Sequence, residues 1–274
     1  MAALNDDESH AKKITNGKQD GLFGLSTMPD GRIVYAARVG DNSDIWIMNA
    51  DGTGAKALTA DAFTDSRPTV SPDGRYILYQ SNRPDNVPHI WRMNADGSNS
   101  KQLTSGTEDH YPALSPDGRW VAFHSFRTGK PTLWKVPIDG GESVQISDRI
   151  AFNPIFSPDG KLLSCWCLDE SVSPQRYRQA LISFENGQLV RVLDLPTTAG
   201  NVQWSADAKE FLYINAPGDI SNIWSLPVAG GAAKQLTKFN SEFIEHFDVS
   251  RDGKHFIVSR LTGGNDIILI KNFK

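Results

Sequence analysis

The residues in this 274-residue chain whose side chains could do chemistry are six histidines, two cysteines and a scatter of arginines, asparagines and aromatics. The histidines, at 10, 89, 110, 124, 246 and 255, lack the H-E-x-x-H spacing that sets two metal ligands on one helix face. No G-x-S-x-G elbow presents a serine nucleophile, and no P-loop or kinase signature cradles a phosphate. Cys165 and Cys167, two apart in one strand, need further ligands to close a metal site, so they read as small core-filling residues. One informative set remains, and it is periodic. Gly24, Arg67, Tyr111, Asn153, Asn201 and His246 hold one equivalent place in six repeats, each preceded in turn by Phe23, Ser66, His110, Phe152, Gly200 and Glu245. The candidate ligand-binding residues are therefore Arg67, His110, Tyr111, Phe152, Asn153, Asn201, Glu245 and His246. They offer a cation, aromatics, amides and two histidines, and a few polar groups converging on a concavity is the usual form of a ligand site. A plainer job also suits them, hydrogen-bonding neighbouring loops or holding water in a channel. No catalytic residue, cofactor or metal is assigned: His110 and His246 belong to the third and sixth repeats, which face each other in a ring of six, but a channel between them is expected to be too wide for a shared ion.

The elements that position this set follow from a second periodicity. Ser71-Pro72-Asp73-Gly74 returns as Ser115-Pro116-Asp117-Gly118 and Ser157-Pro158-Asp159-Gly160. Weaker copies stand at Met28-Pro29-Asp30-Gly31, Ser205-Ala206-Asp207-Ala208 and Ser250-Arg251-Asp252-Gly253. Their fourth positions lie 43, 44, 42, 48 and 45 residues apart, the signature of a repeat architecture. Proline presets φ for a type I turn, Asp follows, and Gly takes the left-handed position, so each copy is a hairpin turn. An alternating run such as Tyr76-Ile77-Leu78-Tyr79-Gln80 then reads as a half-buried strand. A third strand carries Trp46, Trp91, Trp134 or Trp224, expected to pack between repeats. It ends in a second turn, as at Ala95-Asp96-Gly97, and a short fourth strand closes with Leu-Thr, as at Leu103-Thr104. Four antiparallel strands every 40 to 50 residues make a propeller blade, so six repeats predict an all-β, six-bladed propeller.

The last repeat stops after three strands, and Ala11-Lys12-Lys13-Ile14-Thr15 matches Lys101-Gln102-Leu103-Thr104. The N-terminal strand is therefore expected to complete blade six and remove an exposed sheet edge. Residues 1–10 are polar and are expected to be a disordered tail without the apolar core of a signal peptide, followed by one propeller domain over 11–274. A net charge of -4 supplies no basic footprint, which argues against a nucleic-acid partner, and no apolar run is long enough to span a membrane. Loops leading into the innermost strands vary between repeats, whereas the S-P-D-G and A-D-G turns on the opposite face do not. Binding is therefore expected on the lead-in face. Arg38, Arg83, Arg127 and Arg260, near the ends of second strands, are expected to brace these loops or to pair with acids of a neighbouring blade. The longer segment Asp169-Glu170-Ser171-Val172-Ser173-Pro174-Gln175-Arg176-Tyr177-Arg178 belongs to the same face.

In its S-P-D-G, I-W-x-M-N-A-D-G and K-Q-L-T elements the chain resembles the WD-like propeller repeats of the TolB family, over Ala11 to Lys274. Its ending, from Lys234-Gln235-Leu236-Thr237 through Asp266-Ile267-Ile268-Leu269-Ile270-Lys271-Asn272-Phe273-Lys274, is similar to that of propellers at the C-termini of bacterial Ser/Thr protein kinases. The resemblance implies a sensor or docking module without catalysis of its own, periplasmic or otherwise extracytoplasmic, monomeric, and binding a protein, a peptide or a small envelope ligand. The alternative is a metal-dependent propeller lyase or hydrolase using histidines at the channel mouth, although a full histidine set is lacking.

Overall fold

The computed structural model describes residues 11–261, apart from 16 and 18, and residues 265–271. The tail expected over residues 1–10 lies outside the described residues. These form 24 strands and no helix, so no helix is long and apolar enough to cross a membrane. After β1 (Ala11–Lys13), the first sheet holds β2 (Asp20–Thr27), β3 (Ile33–Val39), β4 (Asn42–Met48) and β5 (Lys56–Ala57). The second holds β6 (Asp65–Val70), β7 (Tyr76–Ser81), β8 (His89–Asn94) and β9 (Lys101–Gln102). The third holds β10 (Asp109–Leu114), β11 (Trp120–Ser125), β12 (Thr132–Pro137) and β13 (Val144–Ser147). The fourth holds β14 (Ala151–Phe156), β15 (Leu162–Asp169), β16 (Arg176–Ser183) and β17 (Leu189–Val192). The fifth holds β18 (Ala199–Trp204), β19 (Glu210–Asn215), β20 (Asn222–Pro227) and β21 (Lys234–Gln235). The sixth holds β22 (Phe243–Val249), β23 (His255–Leu261) and β24 (Asn265–Lys271), with β1 as its fourth strand. All pairings are antiparallel, and the fold class is that of a six-bladed β-propeller.

Packing divides the chain into two compact units, Leu58–Thr197 with sheets two to four, and Met1–Ala57 with Thr198–Lys274, holding sheets one, five and six. Each unit has its cores between adjacent sheets. In the first, Leu78, Ile90, Val121, Phe123 and Val136 join sheets two and three, and Leu133, Leu163, Cys165, Cys167 and Ile182 join sheets three and four. In the second, Ile214, Ile244, Phe247, Ile268 and Ile270 join sheets five and six, while Leu25, Tyr35, Ile257, Ile267 and Leu269 join sheets six and one. Strand β24 thus supplies both cores from its two faces. The second strands are likewise buried on both faces: Ile77, Leu78 and Tyr79 are all inaccessible, not alternating as the half-buried reading expected. A sheet covered on both sides has no solvent face to call for polar residues.

The S-P-D-G turns hold themselves by a repeated side-chain network. Ser71 Oγ donates to Asp73 Oδ1 at 2.7 Å and accepts the Tyr76 N–H at 2.9 Å, while Asp73 Oδ1 also accepts the Arg75 N–H at 3.0 Å. The same bonds recur from Ser115, Ser157, Ser205 and Ser250. Partial burial works to raise the Asp73 carboxyl, but hydrogen bonds from the Arg75 backbone, Ser71 and the Arg75 guanidinium outweigh it and hold the group at about 2. In the degraded fifth copy Ala208 itself adopts the left-handed conformation, at φ 59°. The second turn has another constraint: a Cβ on Gly52 would collide with the Ile14 carbonyl, and one on Gly187 with that of Ile146. These glycines let one sheet's turn lie directly on the next sheet's backbone.

Threonines of the K-Q-L-T element tie the fourth strand to the third. Thr104 Oγ1 accepts the Ile90 N–H at 3.0 Å and Thr237 Oγ1 that of Ile223 at 2.9 Å. Thr15 does the same for Ile267 at 2.9 Å, and Ala11 and Lys13 pair with Ile270 and Ile268. The N-terminal strand therefore completes the sixth sheet with the same hook that chain-continuous sheets use. Thr15→Val should strand a buried N–H and cost about 1–3 kcal/mol in urea unfolding, whereas Lys12→Ala on the exposed side should change little. Deleting residues 11–15 should lower the midpoint further and promote aggregation through the bared β24 edge. An unchanged midpoint after deletion would refute this closure.

Candidate functional site

The repeated site residues lie where the innermost strand of each sheet slips register. The pairing of β6 with β7 shifts between Ser66 and Thr69, that of β10 with β11 between His110 and Ala113, and that of β14 with β15 between Phe152 and Ile155. The residue within each bulge is left-handed: Arg67 at φ 55°, Tyr111 at 53° and Asn153 at 54°. In the other unit Asn201 has φ 41° and Gly24 φ 113°. A non-glycine residue held there costs of order 1–2 kcal/mol and persists only where its surroundings enforce it. Pro68, Pro112 and Pro154 follow directly, and a bulge is where a strand tolerates a residue without an N–H. The sixth sheet departs from the expected equivalence. There Glu245 is the bulged residue, and His246 pairs with Ser259 in the ladder and is not left-handed.

Within Leu58–Thr197 the structure gathers five of the predicted residues. The Arg67 guanidinium lies 4.4 Å from the Tyr111 ring centroid, within cation–π range. Tyr111 lies 5.5 Å from His124, which stacks on His110 at 5.2 Å and meets Phe152 edge-on at 6.2 Å. Phe152 in turn packs against Tyr177 at 5.1 Å. His110 Nδ1 lies 3.2 Å from Gln80 Oε1, and His124 Nδ1 accepts the Asn153 N–H at 3.5 Å. His124 therefore carries its proton on Nε2, while His110, donating to Gln80, offers a lone pair there. Asn153 Oδ1 is buried and has no protein partner. Burial and the adjacent His110 push the His124 imidazole down to about 3. Burial also lowers His110, aided by Arg67 and opposed by Glu108 and Asp109. Both rings are neutral at neutral pH.

The other unit joins two more: Asn201 Nδ2 donates to His246 Nδ1 at 3.1 Å, and Gln203 Nε2 beside it donates to the Phe247 carbonyl at 2.6 Å. Among the described residues no three His, Cys, Asp or Glu side chains converge to hold a metal ion. Cys165 and Cys167 are buried thiols in the core. His124, Gln80 and Tyr177 were not among the predicted residues. The first two follow from strand pairing, since His110 lies opposite His124 and Ser66 opposite Gln80.

Arg83, Arg127 and Arg260 brace the lead-in loops from within their own sheets. Arg83 bonds Asp65 at 2.7 Å and Ser81 at 2.9 Å, Arg127 bonds both oxygens of Asp109 at 2.9 Å, and Arg260 bonds Glu242 at 2.8 Å and the Ser241 carbonyl at 2.7 Å. Each partner acid lies at or just before the start of the innermost strand, so the ion pair locks the loop to the strand it enters. Burial raises the Asp65 carboxyl to about 6 despite Ser81 and Arg83. Trp91 and Trp134 lie under the same guanidiniums, at 4.9 and 4.7 Å, and Trp134 also packs against the core between sheets two and three. Arg38 differs, its Nε donating to the Gly40 carbonyl at the surface.

No family model matches this chain. A 54-residue stretch is 44% identical to the Tol-Pal system protein TolB of Anaeromyxobacter dehalogenans (strain 2CP-C), covering 19% of this chain and only 12% of that protein. Among solved structures, TolB from Acinetobacter baumannii superposes with a TM-score of 0.68 at 19% identity, over 87% of this chain and 63% of that one. An oligogalacturonate lyase in complex with manganese superposes with a TM-score of 0.65 at 13% identity, over 96% and 93%. These likenesses establish a TolB-like propeller fold, one that both TolB proteins and an enzyme share.

Two measurements probe the site. A histidine whose folded pKa is near 3 and unfolded pKa near 6.5 binds more protons when unfolded, so its contribution to stability is lost as pH falls through that window. The slope is up to about 1.4 kcal/mol per pH unit. Asp65, with its folded pKa raised, acts oppositely between its unfolded value and about 6. The diagnostic is therefore the difference between the wild type and His124→Gln, which should lose the acid-side slope. In the second, Asn153→Ala should destabilise by about 1 kcal/mol through left-handed strain, whereas Asn153→Gly should not. Equal effects would remove the strain argument.

Proposed function

We propose that this chain is a non-catalytic docking module that recognises a protein or peptide partner through the face carrying the left-handed bulges. The observation that carries the reading is the retention of Arg67, Tyr111, Asn153 and Asn201 in a conformation glycine would adopt without strain. A purely structural bulge has no need of an arginine or a tyrosine there, and strain of this kind collects at binding sites. Gly24, at the corresponding place in the first sheet, is what such a position looks like without a side chain to present. The TolB-like fold supports the reading, as does the contrast between lead-in loops that differ in every repeat and turns that repeat one network.

In this reading all six blades form one domain, with Glu245 and His246 at its binding face, and the domain is the sensing part of a larger extracytoplasmic or signalling protein of the kind that carries a propeller at its C-terminus. A second reading is favoured by the likeness to the manganese-bound lyase: a metal-dependent enzyme using His110, His124 or His246. The two separate in one experiment. Partner capture from an envelope extract should be lost with Arg67→Ala and with Tyr111→Ala, and retained with Arg119→Ala on the turn face. Melting temperature should be indifferent to manganese and to chelator. Capture insensitive to Arg67 and Tyr111, together with a manganese-dependent rise in melting temperature abolished by His110→Ala, would overturn the docking reading in favour of the enzyme.

A further inference from the structure

We propose that the second turn of the fourth sheet is a site of self-modification, at which Asn186 cyclises onto the Gly187 nitrogen and is converted by water into aspartate and isoaspartate. The second turns of sheets one to three carry Asp51-Gly52, Asp96-Gly97 and Asp139-Gly140, and that of sheet five carries Ala229-Gly230. Sheet four has an asparagine in this place, and among the described residues it is the one position where asparagine directly precedes glycine. The glycine is not replaceable, because a Cβ on Gly187 would collide with the Ile146 carbonyl of sheet three. A residue without a Cβ is also the one whose nitrogen approaches a preceding carboxamide with least hindrance. Packing between the sheets therefore imposes the reactive pair.

The bonds around the turn favour this chemistry. The Gln188 N–H donates to Asn186 Oδ1 at 3.1 Å, which polarises the side-chain carbonyl and stabilises the oxyanion that develops there when a nitrogen attacks Cγ. The Gly187 N–H donates to the Ser183 carbonyl at 2.9 Å, and its nitrogen is released when that bond opens. Opening is cheap at this edge, because β17 is an outermost strand exposed over Leu189, Val190 and Arg191. Asn186 is itself exposed, and the turn borders a cleft of about 640 Å³, lined by residues 146–149 and 186–189, that admits water. In the first step the Gly187 nitrogen bonds to Asn186 Cγ and loses its proton, and ammonia leaves, giving a five-membered imide. Water then opens one or the other imide carbonyl, so asparagine plus water becomes ammonia plus aspartate or isoaspartate. The two products differ in what they do to the fold. Aspartate restores the Asp-Gly pair of sheets one to three and keeps Gly187 in place. Isoaspartate routes the backbone through the side chain and lengthens it by one carbon where Gly187 lies on the Ile146 backbone, which loosens the seam between sheets three and four.

The test incubates the whole folded chain at mildly alkaline pH and follows Asn186 by peptide mapping and mass spectrometry, with isoaspartate methyltransferase labelling to tell isoaspartate from aspartate. The peptide holding Asn186 should gain the mass of exchanging amide for acid at least tenfold faster than the one holding Asn99, which is exposed but precedes a serine. Part of it should accept the methyl label. Asn186→Gln should abolish both changes at this peptide. Asn186→Asp should leave the melting temperature where it is, whereas aged wild type should melt lower in proportion to the label at residue 186, and aged Asn186→Gln should not. Modification of Asn186 in the denatured chain alone, a rate no faster than that of Asn99, or labelled protein that melts like the fresh chain would each overturn the proposal.

Discussion

A four-stranded sheet whose central strands are apolar on both faces cannot stand alone in water, and every other feature of this chain follows from having to cover both sides. Strand β24 shows the constraint most plainly, with Ile268 and Ile270 serving one core and Ile267 and Leu269 the other. At ~25 cal/mol per Å² of apolar surface removed from water, burial of such side chains is worth ~1.5–3 kcal/mol each, and half of it is forfeited by a sheet with one bare face. Close approach of neighbouring sheets is therefore favoured until backbone meets backbone. It does so at Gly187 against Ile146 and at Gly52 against Ile14, where no Cβ fits. The same demand explains why the sixth sheet takes its fourth strand from the other end of the chain, down to the Thr15 hook.

Sheets packed this tightly leave little freedom to their innermost strands, and the site is built from the exceptions. Each strand must end in a loop and enter the sheet at a set depth. Buried ion pairs, Arg83 with Asp65 and Arg127 with Asp109, fasten loop to strand at that point. Just beyond it the ladder slips by a bulge, and the slipped residue is turned into the left-handed region. A side chain in that position is aimed by the backbone and not by its own rotamer preferences, which is how Arg67, Tyr111 and Asn153 come to stand in register across three sheets. The neutral imidazoles between them contribute hydrogen bonds of defined sense, because burial removes the charged form.

Much of this was legible in the residues. The S-P-D-G spacing specifies the blades, because hairpin turns are local hydrogen-bond patterns, and the match between residues 11–15 and Lys101-Gln102-Leu103-Thr104 specifies the closure, because a repeated segment reuses the same hook even where its partner strand is distant in the chain. Position by position, the alignment also found Arg67, Tyr111, Asn153 and Asn201. It misplaced His246, since the sixth sheet makes its bulge one residue earlier, at Glu245, and no local signal marks that difference. Where Arg67, Tyr111 and Asn153 precede proline, the X-Pro pair inside a strand was a readable sign of the bulge.

The amino-acid order alone determined the number of sheets, their strand order, their turns and the face on which variation collects, and apart from the β1–β24 closure these depend on contacts within some 45 residues of chain. Tertiary structure alone decided which side chains meet. His124 reads as one more apolar-strand residue until β10 lies beside β11 and Asn153 arrives from the next sheet. Tyr177 reads as a loop tyrosine until its hairpin brings it to Phe152. The arginines, ambiguous between their own sheet and its neighbour, resolve onto their own because Asp65, Asp109 and Glu242 lie within reach there. Such pairings join residues from different strands and sheets, and distance in space is a property that periodicity in sequence does not carry.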